Sequence, residues 1–123
     1  MSRQNPTVII ALGGNAISPK NESGDISKQF AHTKESLDAM MYFVDNRYNI
    51  CITHGNGPQV GAELLKNEIT KDKIPSLPLG VLVANTQGAI GYMIQQTLQN
   101  ALQKNDIDRE VVTFISQVIV DKN

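Results

Sequence analysis

A chain of 123 residues is sized for one domain, and a domain of this length buries roughly two-thirds of the surface its unfolded form exposes. Hydrophobic residues at 41% against charged residues at 19% exclude a disordered polar tail; eleven basic and twelve acidic residues, scattered to a net charge of −1, exclude a nucleic-acid footprint. The single cysteine excludes a disulfide framework, and neither a signal-peptide core nor an apolar run near the ~20 residues that span a bilayer is found. A cytoplasmic setting with no membrane partner is expected.

Thr7–Leu12 is apolar and mostly β-branched, bounded by Pro6 and Gly13-Gly14. Its lack of alternation predicts a strand buried on both faces, as in a parallel sheet. After a polar stretch containing Pro19 and Gly24, apolar residues recur at Phe30, Leu37, Met41 and Val44, with Met40 beside them, which predicts one helix over 25–46. Residues 48–53 read as a second short strand in which Cys51, between Ile50 and Ile52, is expected to be a buried structural thiol.

His54-Gly55-Asn56-Gly57-Pro58 follows at once, and Val60, Leu64 and Ile69 continue at near-helical intervals. Pro58 suits the first turn of that helix, where its missing N–H would have had no partner. Ile74-Pro75-Ser76-Leu77-Pro78 breaks the chain before a longer helix over Leu79–Lys104, whose stripe runs through Leu82, Thr86, Ile90, Met93, Thr97 and Ala101. Gly88 and Gly91 lie three apart on one face, each costing about 1 kcal/mol relative to alanine, so something must approach closely there. Tight packing and a direct ligand contact both satisfy that requirement.

Residues 110–120 read as strand again, with Val111 to Ile115 and Val118 to Val120 flanking Ser116-Gln117. At the edge of a parallel sheet such a strand would leave backbone groups unpaired unless covered. The order β, α, β, α, α, β argues for a single α/β unit over 1–123.

Gly13-Gly14-Asn15 and His54-Gly55-Asn56-Gly57 each follow a predicted strand and should lie together at the carboxyl ends of parallel strands. Ligands of open α/β sheets bind in that crevice, and glycine turns let backbone N–H groups converge on an anion without obstruction. At the second loop a helix N-terminus adds its positive dipole end. Candidate substrate-binding residues are therefore Gly13, Gly14, Asn15, Gly55, Asn56 and Gly57. Neither loop is a Walker A or dinucleotide fingerprint. His54 fits an acid–base role or, more simply, organisation of its turn, and Asn15 and Asn56 fit either anion donors or turn formers.

Four segments together resemble the carbamate kinases of the amino acid kinase superfamily. They are Val8 to Ile17 around Gly13-Gly14-Asn15; Thr53-His54-Gly55-Asn56-Gly57-Pro58-Gln59-Val60-Gly61; Ala84-Asn85-Thr86-Gln87-Gly88-Ala89-Ile90-Gly91-Tyr92; and Ser116-Gln117-Val118-Ile119-Val120-Asp121. Ala11-Leu12 stands where many amino acid kinases carry a lysine, a departure this sequence shares with carbamate kinases. The resemblance implies a three-layer αβα fold with an open, mainly parallel sheet, present here as an incomplete N-terminal part. It also implies reversible phosphoryl transfer between ATP and carbamate with Mg2+, a homodimer, and a setting in arginine metabolism. The two loops would then hold carbamate or carbamoyl phosphate, mainly by positioning and charge stabilisation.

No metal site, nucleotide pocket or catalytic lysine is identifiable. None of Lys20, Lys28, Lys34, Lys66, Lys71, Lys73, Lys104 and Lys122 adjoins either loop in sequence. The family's catalytic lysines and nucleotide domain are expected to follow the matched segments, so the chain by itself is expected to lack activity, or to act only as a non-catalytic binder of a small anion or of a homologue.

Overall fold

Two hexads of β-forming residues, TVIIAL and NICITH, pair in parallel, so that Ile9 stands opposite Cys51 and Leu12 opposite His54. They are β1 (Thr7–Leu12) and β2 (Asn49–His54) of a computed structural model that describes residues 4–19 and 25–121. Between them lie α1 (Gly14–Ile17), α2 (Ile26–Asp38) and α3 (Met41–Asp45); after them come α4 (Gly57–Thr70) and α5 (Leu79–Lys104). The fold class is α/β with a parallel sheet, as expected. Gly24, Lys20 and Lys122 lie outside the described residues.

Side chains alternate across the sheet with period two. Ile10, Ile50 and Ile52 face the core built by Leu12, Ile17, Leu37, Val44, Ile90 and Met93 together with their neighbours. The opposite face is open: Ile9 is 72% exposed and its cross-strand partner Cys51 is also exposed. Two expectations are corrected here. The first strand is not buried on both faces, and Cys51 is not a buried thiol, because the apolar side chains of the helices gather over one face of the two-stranded sheet.

The helix expected over 25–46 is two helices. At the junction Met40 N–H donates to the Leu37 carbonyl at 2.9 Å, a tighter turn than the α-helical ladder, and the chain swings so that Met40 and Val44 both enter the core. α2 begins at Asp25, whose carboxylate accepts from the Ser27 hydroxyl at 2.6 Å and the Ser27 N–H at 2.8 Å. Those two hydrogen bonds, the hydroxyl first, hold the Asp25 carboxyl below its ordinary range.

α3 and α5 end alike. Arg47 (φ 61°) and Asp106 (φ 54°) take the left-handed conformation one residue past each cap. Tyr48 N–H then donates to Phe43 O at 2.9 Å and Arg47 N–H to Val44 O at 3.0 Å; Ile107 and Asp106 repeat the pattern onto Leu102 and Gln103. This is the Schellman arrangement, and the Phe43 and Tyr48 rings seal the first instance edge-to-face at 5.4 Å. Glycine takes this conformation without the steric cost that falls on arginine. Arg47→Gly is therefore expected to raise unfolding free energy by about 1 kcal/mol, read as a higher urea midpoint at unchanged slope.

α5 is the spine of the molecule, burying Leu82, Thr86, Ile90, Met93, Leu98 and Leu102 along one stripe. Its bounds are as expected, but past Met93 the buried stripe runs through Leu98 and Leu102 instead of the expected Thr97 and Ala101, which are half-buried. Beyond it the expected strand over 110–120 does not form: the chain is extended but pairs with no strand, and residues 112–121 are exposed. A strand needs a neighbour to satisfy its backbone, and side chains of α5 supply part of that function instead. Gln99 Oε1 accepts from Val111 N–H at 3.0 Å while its Nε2 donates to Arg109 O at 3.1 Å; Gln87 does the same to Ser116 N–H at 2.9 Å and Ser116 O at 3.2 Å.

One of the two helix glycines, Gly91, is explained by the same segment. A Cβ at Gly91 would stand inside van der Waals contact of Thr113 Cγ2 and 3.3 Å from Thr113 Cβ, and the Thr113 hydroxyl donates to Gly91 O at 3.1 Å. A Cβ at Gly88 would lie an ordinary 3.9 Å from Ile115 Cδ1. Close packing is what α5 provides at Gly91, with the extended segment as the neighbour, whereas a methyl group would fit at Gly88.

Candidate functional site

Both glycine loops leave the same edge of the sheet, because the parallel register sets the last residues of the two strands, Leu12 and His54, opposite one another. Gly13 caps α1 in extended geometry (φ −68°, ψ 160°), and Gly14 opens it; Asn15 lies within α1. Gly55 follows β2, Asn56 caps α4 and Gly57 opens it. The loops approach each other at Gly14, where an added Cβ would lie 3.9 Å from the Pro58 ring.

None of the described glycines has a positive φ. Their use in these loops is the missing side chain: a Cβ at Gly13, Gly55 or Gly57 would meet nothing within 4 Å, so the backbone at this edge is bare to an approaching ligand. The 14-residue α4 begins here, with Pro58 in its first turn, and its unpaired N–H groups carry the positive end of the helix dipole.

Asn56 is spent on the scaffold. Its amide donates to Thr86 Oγ1 at 2.9 Å and to Val83 O at 3.3 Å, and the Thr86 hydroxyl in turn donates to Val83 O at 2.9 Å. The second loop is thus tied to α5 through a half-buried amide. Asn56→Ala is expected to cost about 1 kcal/mol of stability, and to raise hydrogen exchange at Gly55 and Gly57 while sparing the strands. His54 Nδ1 sits 3.3 Å from Gly55 O and donates to it in the tautomer that carries the proton there, which fits the turn-organising role.

A cavity of about 560 Å³ opens beside the loops between α2, α4 and α5, and Gly14, Pro58, Gln59, Glu63, Lys66 and Thr86 are among its lining residues. Gln59 Nε2 donates to Gln29 Oε1 at 3.3 Å, while the buried Gln59 Oε1 is without a hydrogen-bond partner. Lys66 Nζ is 2.7 Å from Glu63 Oε1, with its side chain 69% exposed. The sequence reading missed Gln59 and Lys66 as neighbours of the loops. Their separation of seven residues, two helical turns on one face, was the available signal.

The remaining described lysines are not among the residues that line this cavity. Lys34 pairs with Asp38, Lys71 with Glu68, and both pairs are solvent-exposed. Among the described residues no three His, Cys, Asp or Glu side chains come together in a metal-binding group. No helix among them is long and apolar enough to cross a membrane.

No family model matches the chain. Curated relatives do: the carbamate kinase of Pyrococcus horikoshii is 44% identical over 117 residues, and that of Pyrococcus furiosus is 42% identical over 118. Each match takes in 94% of this chain. Among solved structures, a carbamate kinase from Giardia lamblia bound to AMP-PNP superposes on 96% of the chain with a TM-score of 0.90 at 37% identity. The chain belongs to the carbamate kinase family. It spans 37% and 38% of the length of the two Pyrococcus enzymes and 41% of the Giardia chain. Kinship with carbamate kinases thus rests on sequence and on fold together, over nearly every residue of this chain.

Proposed function

We propose that this chain carries the carbamate side of a carbamate kinase-type phosphotransferase, the reversible transfer of a phosphoryl group between ATP and carbamate. The observation that carries the reading is the pair of unobstructed glycine turns at one sheet edge, held level by the Leu12 and His54 rung. Backbone N–H groups of Gly13, Gly14, Asn15, Gly55, Asn56 and Gly57 are the proposed contacts to carbamate or to the phosphoryl oxygens. Phosphoryl transfer is catalysed chiefly by positioning and by stabilising charge on those oxygens, which backbone donors do without a proton of their own to exchange.

The nucleotide and Mg2+ belong to this reading by kinship alone, and no step is assigned to them. A homodimer, a cytoplasmic setting and a place in arginine metabolism rest on the same kinship.

The scarcity of cationic groups at the site among the described residues favours a second reading for the chain by itself: binding without turnover. Lys66 lines the cavity beside the loops, and it is already paired with Glu63. Titration of the folded, isotopically labelled chain with carbamoyl phosphate is expected to shift the amide signals of the six loop residues first. A flat titration in a folded sample would remove the binding claim. Incubation with ADP and carbamoyl phosphate is expected to yield no ATP; turnover comparable to a full-length carbamate kinase would remove the second reading.

A further inference from the structure

A second cavity opens at the amino ends of the two strands, the opposite end of the sheet from the glycine loops and about 17 Å of strand away from them. It holds about 500 Å³, a volume within the range of small-molecule sites. Arg47 and Arg109 line it, from the turns that follow α3 and α5. Asp45 is its acidic lining residue, so two guanidiniums against one carboxylate leave the lining positive. Val44 and Ile107 supply an apolar wall.

Both arginines are fixed at the main chain and unspent at the side chain. Arg47 N–H donates to Val44 O at 3.0 Å; Arg109 N–H donates to Ile107 O at 3.0 Å, and its carbonyl accepts from Gln99 Nε2 at 3.1 Å. The strand entries beside them are tied as well, since Asn49 N–H donates to Pro6 O at 2.8 Å and Asn49 Nδ2 to Asn5 O at 3.2 Å. Among the described residues neither guanidinium enters an ion pair or a hydrogen bond.

Arg47 is also the residue that holds a left-handed backbone at φ 61°, where glycine would be the more stable choice. A helix C-terminus attracts cations, but α3 has only five residues, and its carbonyls at Tyr42, Phe43 and Val44 already accept from the N–H groups of Asn46, Tyr48 and Arg47. The dipole therefore does not account for the arginine. Backbone strain that no internal contact offsets is the mark of a side chain kept for an external partner.

We propose that this cavity binds a small organic oxyanion, a phosphate or carboxylate group on a short carbon skeleton. The guanidiniums of Arg47 and Arg109 take the oxyanion, whose geometry their planar forks match, and Val44 and Ile107 lie against the carbon skeleton. The site is separate from the glycine loops and owes nothing to carbamate or to phosphoryl transfer, so either reading stands if the other fails.

The test titrates the isotopically labelled 123-residue chain with inorganic phosphate, glycerol phosphate and succinate, read at the backbone amides. Saturable shifts are expected at residues 45–49 and 107–109, resolved from any at the loops. Arg47→Gly is the deciding variant because its fold is expected to be the more stable: binding at this cavity should weaken about tenfold or more while the urea midpoint rises, which separates loss of the site from loss of structure. Arg109→Gln should weaken binding to a similar degree. Asp45→Asn, which removes the negative charge of the lining, should tighten it about two- to threefold. Tighter binding of glycerol phosphate than of succinate assigns the group as phosphate, the reverse order as carboxylate, and both support the site. Shifts at the loops alone, no saturation with any of the three probes, or binding indifferent to Arg47→Gly would overturn the proposal. Weaker binding in Asp45→Asn would overturn it too, since the cavity would then be built for a positive group.

Discussion

Replacing Leu37 by alanine is expected to lower the unfolding free energy by about 3 kcal/mol, a large share of what a domain of this size has. Leu37 is 1% exposed and sits where α2 meets α5, among Ile17, Ile90 and Met93, which are themselves 1–2% exposed. The cost has two parts: the lost transfer of three side-chain carbons, and the cavity that the neighbouring helices close only in part. Chemical denaturation would show the midpoint falling without a change of slope. A loss below about 1 kcal/mol would mean that α2 is free to collapse onto α5, and the single shared core described above would not be intact.

Replacing Gly91 by alanine is expected to act in the opposite sense from the same change at Gly88. Alanine returns about 1 kcal/mol of helix propensity at either position. At Gly88 the new methyl meets Ile115 at ordinary distance, so the gain stands and the melting temperature rises. At Gly91 it collides with Thr113 Cγ2, and rotating that β-branched side chain still leaves its Cβ at 3.3 Å, tighter than an ordinary contact. Overpacking at about 1–3 kcal/mol then outweighs the propensity, and the Thr113 hydroxyl loses its bond to Gly91 O. The segment should lift, seen as exchange at least about tenfold faster for the amides of Val111 and Ser116 that the glutamines hold. Thr113→Gly in the Gly91→Ala background should restore most of the protection. Equal effects at the two glycines would show that no such contact governs the helix.

How much of this was legible beforehand varies with how local the cause is. The length of α5 was readable because its buried stripe, its Pro78 entry and its lysine-bearing end are all written within the helix. The first turn of α4 was readable from Pro58 for the same reason. The break between α2 and α3 was not, since Met40 and Met41 suit a continuous helix and only the demand that Met40 and Val44 share a core bends the chain. Cys51 misled because an apolar β-branched run records a preference for the extended state, whereas burial of one face depends on what packs over it. Residues 110–120 failed as a strand for a related reason: the composition was right, but hydrogen bonding requires a neighbouring chain, and the side chains of Gln87 and Gln99 took its place.

At the candidate site, sequence located the two loops and the edge they share. It did not reveal that Asn56 is turned inward to Thr86, thirty residues away, nor that Gln59 and Lys66 line the adjoining cavity. Those relations depend on how α4 lies against α5, which no local pattern encodes.

The pairing of Leu12 with His54 makes the sheet a ruler for the site. One residue inserted in β1 or β2 alone would slide one glycine turn past the other by a single rung, about 3.3 Å, and would carry Ile10 or Ile52 from the core face to the bare one. The two strands can therefore change length only in step. The distance between the two glycine turns is fixed by counting residues, not by the flexibility that their glycines suggest.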